Sequence, residues 1–160
     1  AFLGIENPKV GLLNMGEEEH KGPAVLQEAY QLLKSAPVNF MGNIEGRDLI
    51  AGKADVVASS GYTGNVVLKL LEGFFEMHQE MFGTIDSPAG KRFAEMWDYR
   101  ATGGALLLGL NGIGIIAHGR SDALAIEKAV EAAAKYAEAD VANKVNARLA
   151  AIKSEEAPKA

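Results

Sequence analysis

The stretch Asp55-Val56-Val57-Ala58-Ser59-Ser60-Gly61-Tyr62-Thr63-Gly64-Asn65 reads as a short apolar strand, a turn of glycines and hydroxyls, and a helix start. An apolar run without alternation suits a strand covered on both faces. Glycine directly after it suits a tight strand-to-helix turn. From about Asn65 to Phe82 a helix follows, with Val66, Val67, Leu70, Leu71, Phe74, Phe75, Met77 and Met81 on a wide apolar face.

The same order recurs upstream. Lys9 to Met15 is an apolar run, Gly16 to Gly22 a polar turn, and Pro23 opens a helix through about Lys34 that Pro37 stops. Val38 to Met41 is a second strand closed by Gly42, and Arg47 to Ala51 a short helix ended by Gly52. Downstream, Ser87-Pro88 is a cap with a first-turn proline, starting a helix through about Trp97. A helical hairpin over about 65–98 results. Asn111-Gly112 between Ala105–Leu110 and Ile113–Ala117 predicts a β-hairpin. Ser121 or Asp122 caps a last helix with Ile126, Val130, Ala133, Ala137 and Val141 on one face. Strands alternating with helices give the α/β class with a mainly parallel sheet. One domain is expected over 1–152, with a frayed tail over 153–160.

Composition narrows the function. The chain has 160 residues, a net charge of −5, no cysteine and 48% hydrophobic residues. These values exclude wholesale disorder, a disulfide framework and a thiolate nucleophile. With 16 basic against 21 acidic residues, nucleic-acid binding is not expected. No apolar run approaches the ~20 residues of a membrane-spanning helix, and Ala1-Phe2-Leu3-Gly4-Ile5 lacks a basic leader. A soluble cytoplasmic protein is the expectation. The chain starts without methionine, which suggests a piece of something longer. Glycine, 18 of 160, falls mostly after apolar runs.

Ligands of such sheets bind outside the carboxyl ends of the strands, so the turns after Met15, Ser59 and Ala117 are expected to converge. Ser59 to Asn65 reads either as an anion cradle of backbone N–H groups, hydroxyls and a helix dipole or as an ordinary capped turn. It is not a Walker A loop, because no Gly-Lys-Ser/Thr follows. In Gly16–Gly22, Glu17, Glu18, Glu19 and His20 invite a metal, but sequence neighbours cannot all face one ion. A solvated acidic turn is preferred, and neither metal nor cofactor is expected. Lys21, just before Gly22-Pro23, can join a phosphate-binding mouth or lie on the surface. His118 is a general base or a satisfied strand-end histidine, while His20 and His78 read as surface residues. Phe74, Phe75, Met77, Met81, Phe82 and Trp97 call for cover by a partner subunit or a membrane surface.

Five segments in register carry a resemblance: Leu3 to Glu19 with Lys21-Gly22; Asn39 to Leu49; Gly61 to Lys69 with Leu71-Glu72-Gly73; Gly103 to Gly112; and Ala117-His118-Gly119. Together they resemble the C-terminal half of the bacterial phosphate acyltransferases of phospholipid synthesis (PlsX type). That family's N-terminal Asp-Ala-Met-Gly-Gly-Asp signature is missing here. The resemblance implies a three-layer, isopropylmalate-dehydrogenase-like α/β fold with a protruding hairpin. It also implies transfer of a fatty acyl group from acyl carrier protein, or acyl-CoA, to inorganic phosphate. Lys21 and Asn65 match the catalytic pair, Lys21 neutralising charge and Asn65 positioning or donating to an oxyanion. Ser60, Gly61, Thr63, Gly64 and His118 would hold phosphate. A homodimer through the hairpin and peripheral membrane contact are further implications. Lys69, Lys91, Arg92 and Arg100 are the basic candidates for docking the acidic carrier. Ser60 stands where the family commonly has aspartate, Ala105 where it has proline, and the hairpin is shorter. Two alternatives stay open: a related acetyl-phosphate-forming enzyme or glycine-reductase-complex subunit, and a non-catalytic dimerising homologue.

Overall fold

Lys9–Leu13 forms β1, the central strand of a three-stranded sheet, in a computed structural model describing residues 4–83 and 87–156. On one side β1 pairs in parallel with β2 (Asn39–Ile44), on the other with β3 (Val56–Ala58). The linking helices are α1 (Ala24–Ser35) and α2 (Gly46–Ile50). The strand order is therefore β2-β1-β3. Leu12, Leu13 and Ile44 are the buried apolar centre. Gly11 makes room for Ile44: a Cβ there would sit 2.9 Å from the isoleucine side chain. Tyr30 of α1 meets Phe40 of β2 edge-on, with ring centroids 5.1 Å apart. The strands and helices expected between Lys9 and Ser59 all appear, with ends shifted by a few residues.

Two compact units divide the chain, one over Gly4–Lys69 and one from Leu70 onward. The boundary falls within α3 (Gly61–Phe82). This helix starts at Gly61 rather than Asn65, because Ser60 caps it: its Oγ accepts the Thr63 N–H at 3.1 Å and its carbonyl the Gly64 N–H at 2.9 Å. Much of the Ser59–Asn65 turn is thus the first turn of a helix.

In the second unit α4 (Pro88–Trp97) is capped as expected, the Gly90 N–H donating to Ser87 Oγ at 3.0 Å. Next come α5 (Tyr99–Thr102) and a ribbon of β4 (Ala105–Leu106) and β5 (Ile115–Ile116). The ribbon is the predicted antiparallel hairpin, but its strands are two residues long and its loop spans 107–114. It is a separate two-stranded sheet, not a flank of the parallel one. Consequently the turn after Ala117 does not follow a strand of the three-stranded sheet.

The last helix is two helices. Asp122 Oδ1 caps α6 (Ala123–Glu138), accepting the Ala125 N–H at 2.9 Å. Asp140, at φ +53, then breaks the chain before α7 (Val141–Glu156). Nor is the buried face of α6 the predicted one. Ile126 and Val130 are exposed, while Ala125 and Ala129 are buried. Small alanines win that face because Gly103 comes so close that a Cβ on it would meet the backbone of Lys128 and Ala129. Within the expected tail, α7 reaches Glu156, and 157–160 lie outside the described residues. On α3, Leu70, Phe74, Met77, Met81 and Phe82 are exposed; the Trp97 side chain lies outside the described residues. Among the described residues no helix is long and apolar enough to cross a membrane.

Candidate phosphate site

Parallel pairing places the carboxyl ends of β1 and β3 side by side, since Leu12 is opposite Ala58. Adjacent strands lie about 4.8 Å apart. The turn 14–22 leaves β1 there, and the Ser59–Ser60 turn into α3 leaves β3. Because β1 has β2 on one side and β3 on the other, this is where the chain order reverses, the usual position of a ligand crevice in open α/β sheets.

The turn after β1 is tied down at almost every residue. Asn14, 8% exposed, donates from Nδ2 to the Lys21 carbonyl at 3.0 Å and accepts the Met15 N–H at 2.8 Å. Asn43 of β2, 5% exposed, donates to the Glu18 carbonyl at 2.8 Å. From α1, Gln27 donates to the carbonyls of His20 at 2.9 Å and Gly22 at 3.0 Å. Gly22 has φ +82, and a Cβ on it would overlap the Asn14 amide. Under Lys21, a Cβ on buried Gly16 would lie 3.1 Å from Lys21 Cγ, so the lysine stem runs over bare backbone.

Two of the neighbouring carboxylates are engaged. Glu17 accepts from Lys53 at 2.6 Å, and Glu19 accepts from Gln31 at 2.6 Å and Lys34 at 3.2 Å. The Gln31 hydrogen bond, then that of Lys34, holds the Glu19 carboxyl below its usual range. Lys53 also lies 3.5 Å from Asp48. Its ammonium titrates above the usual lysine range, chiefly through the Glu17 hydrogen bond. Asp48 accepts the Glu45 N–H at 2.8 Å, which with Lys53 depresses its carboxyl. Among the described residues Lys21 forms no ion pair, and no cluster of three or more His, Asp or Glu could hold a metal. A cation stands at the mouth with Glu17 and Glu19 held by other groups, while the Glu18 carboxylate lies over Gly16 beside the Lys21 stem.

At the α3 start, Ser60 Oγ also donates to Thr63 Oγ1 at 2.9 Å. The Thr63 and Gly64 N–H groups are used in the cap and the helix, whereas those of Gly61 and Tyr62 have no intrahelical acceptor. A Cβ on Gly64 would lie 2.8 Å from Ser59 Oγ, so this glycine admits the Ser59 hydroxyl. Asn65 is exposed, one turn into the helix. Lys21, Ser60, Gly61, Thr63, Gly64 and Asn65 all belong to the first unit, on the turns after β1 and β3. The arrangement combines one ammonium, a helix N-terminus and short hydroxyls, which suits a multiply charged anion.

The other predicted residues belong to other elements of the chain. Lys69 is exposed at the end of the first unit. His118, in the second unit, accepts the Arg120 N–H on Nδ1 at 3.1 Å, with Nε2 3.8 Å from Glu72. Lys91 and Arg92 are exposed on α4. Arg100 is committed to Asp98, at 2.6 Å, and its hydrogen bonds depress the Asp98 carboxyl. Asn14, Gln27 and Asn43 had no role assigned from sequence. An asparagine ending an apolar strand just before a glycine-rich turn, as Asn14 does, was the available clue.

A family model described as "Fatty acid synthesis protein" matches residues 1–144. A phosphate acyltransferase of Nitratidesulfovibrio vulgaris is 47% identical over 151 residues, covering 86% of this chain and 44% of the relative. One of Thermodesulfovibrio yellowstonii is 41% identical over 162 aligned positions, covering 93% and 47%. Another, of Desulfitobacterium hafniense, is 44% identical over 163, covering 93% and 49%. The chain spans about half the length of the curated relatives it matches.

Proposed function

The chain belongs to the fatty acid synthesis protein family, and on that premise we propose that it takes part in acyl transfer from the thioester of acyl carrier protein to inorganic phosphate, giving acyl phosphate for phospholipid synthesis. Supporting this reading is the adjacency of the Lys21 turn and the α3 N-terminus on neighbouring parallel strands, with Glu17 and Glu19 paired to other groups.

Phosphate is an anionic nucleophile at neutral pH, so the transfer needs no covalent enzyme intermediate. Lys21 neutralises the anion. The Gly61 and Tyr62 N–H groups, with the hydroxyls of Ser60 and Thr63, orient it. A phosphate oxygen adds to the thioester carbonyl carbon, and the Asn65 amide donates to the oxyanion that forms. Collapse breaks the C–S bond; the carrier's thiolate leaves and takes a proton from solvent. His118 is proposed as a phosphate ligand on the family resemblance alone.

The proposal further includes a homodimer through the exposed apolar face of α3, Lys69, Lys91, Arg92 and Arg100 as basic candidates for carrier docking, and a dehydrogenase-like three-layer fold. The test is acyl phosphate formation from acyl carrier protein thioester and phosphate by the full-length protein and its Lys21→Ala and Asn65→Ala variants. Both variants are expected to lose about 100-fold or more. Rates within twofold of wild type, with the fold intact, would remove these residues from the reaction.

A further inference from the structure

We propose that Gln27, acting with Asn14, is a positioning residue for Lys21, holding the lysine's turn so that its ammonium is preorganised for the anion. The inference rests on the phosphate-site reading above. Three consecutive carbonyls, those of His20, Lys21 and Gly22, are each taken up by a side-chain amide. Gln27 supplies two of those bonds from one Nε2, at 2.9 and 3.0 Å, and so brackets the Lys21 residue. Asn14 closes the middle carbonyl from the opposite element, the end of β1.

Secondary structure does not account for this arrangement. The turn's own backbone bonding within 14–22 is a single Lys21 N–H to Glu18 carbonyl contact at 3.1 Å. Left to itself, such a loop is mobile, and a flexible lysine on a mobile loop loses ordering entropy each time it meets an anion. Side-chain amides from α1 and β1 supply that order in advance. The Lys21 stem over Gly16 completes it, since a Cβ there would crowd the Cγ. Gln27 acts only through its two donors: its side chain is exposed, so packing is not its contribution.

Glutamate at 27 keeps the size and removes the donors, which makes Gln27→Glu the discriminating variant. In the full-length protein, Gln27→Glu and Gln27→Ala are each expected to raise the KM for phosphate about tenfold, with the KM for the acyl thioester within twofold. In a Lys21→Ala background the same substitutions are expected to cost nothing more, because the residue works through Lys21. Amide hydrogen exchange of Glu18 to Gly22 should quicken about tenfold in Gln27→Glu, with the three strands unchanged. Wild-type behaviour of Gln27→Glu in both kinetics and exchange overturns the proposal, as does an equal loss in the Lys21→Ala background. If Lys21→Ala itself leaves the rate unchanged, the phosphate-site reading fails; the exchange result then still decides whether Gln27 orders the turn.

Discussion

Replacing Gly22 by alanine tests the turn most directly. At φ +82 an L-residue carries a penalty of about 1–2 kcal/mol. The new Cβ would also overlap the Asn14 amide. Moving that amide breaks its bonds to the Lys21 carbonyl and the Met15 N–H, each contributing about 1 kcal/mol. The sum is roughly 3–4 kcal/mol. With a urea slope of about 1–3 kcal/mol per molar, a loss near 3 kcal/mol lowers the unfolding midpoint of the first unit by about 1–3 M. Far-UV circular dichroism and hydrogen exchange on β1 and β2 follow that transition. Gly22→Ala and Asn14→Ala should not be additive, because truncating Asn14 removes the obstacle the Cβ meets. The double variant should regain about 1 kcal/mol or more over the sum. A Gly22→Ala loss below about 0.5 kcal/mol, or strict additivity, would refute the reasoning.

Asp48→Asn keeps an acceptor for the Glu45 N–H but removes the charge facing Lys53. Because the folded Asp48 carboxyl lies below its usual value, its contribution to stability is present above about pH 4. That contribution is lost as pH falls through the folded value. Denaturation midpoints between about pH 2 and 6 should therefore fall less steeply on acidification in Asp48→Asn than in wild type; parallel profiles would count against the pairing. In the second unit, Gly103→Ala combines φ +73 with a Cβ on the Lys128–Ala129 backbone. Neither contact atom can rotate away, so a loss of about 2–5 kcal/mol is expected. A melting temperature within about 2 °C of wild type would show that α5 and α6 do not approach this closely.

Much of the fold was legible because it is local. Apolar runs followed by glycine marked β1, β2 and β3, Ser87 caps its helix as expected, and of Ser121 and Asp122 it is Asp122 that caps α6. Periodicity failed where packing chose differently. On α6 a stripe through Ile126 and Val130 is the more hydrophobic, yet Ala125 and Ala129 are buried because a glycine backbone needs their small size. At Asp140 a residue with no glycine or proline beside it takes a left-handed conformation and splits one helix into two. At Asn111-Gly112 a two-residue turn gave way to a loop over 107–114.

The site divides along the same line. As candidates, Lys21, Ser60, Gly61, Thr63, Gly64 and Asn65 come from residue type, spacing and family likeness, all properties of contiguous sequence. What holds Lys21 was not identifiable, because Asn14, Gln27 and Asn43 reach its turn from β1, α1 and β2. Asn43 meets Glu18 across 25 positions of chain. A hydrogen bond of that reach exists only once β2 has paired with β1 and α1 has packed on β2. The amino-acid order by itself settled the α/β class, the family and the chemistry available at the turns. Only the tertiary structure decided that Lys53 pairs with Glu17 and that Asn43 holds the Glu18 carbonyl, because those partners, 36 and 25 positions apart, become neighbours only when the strands assemble.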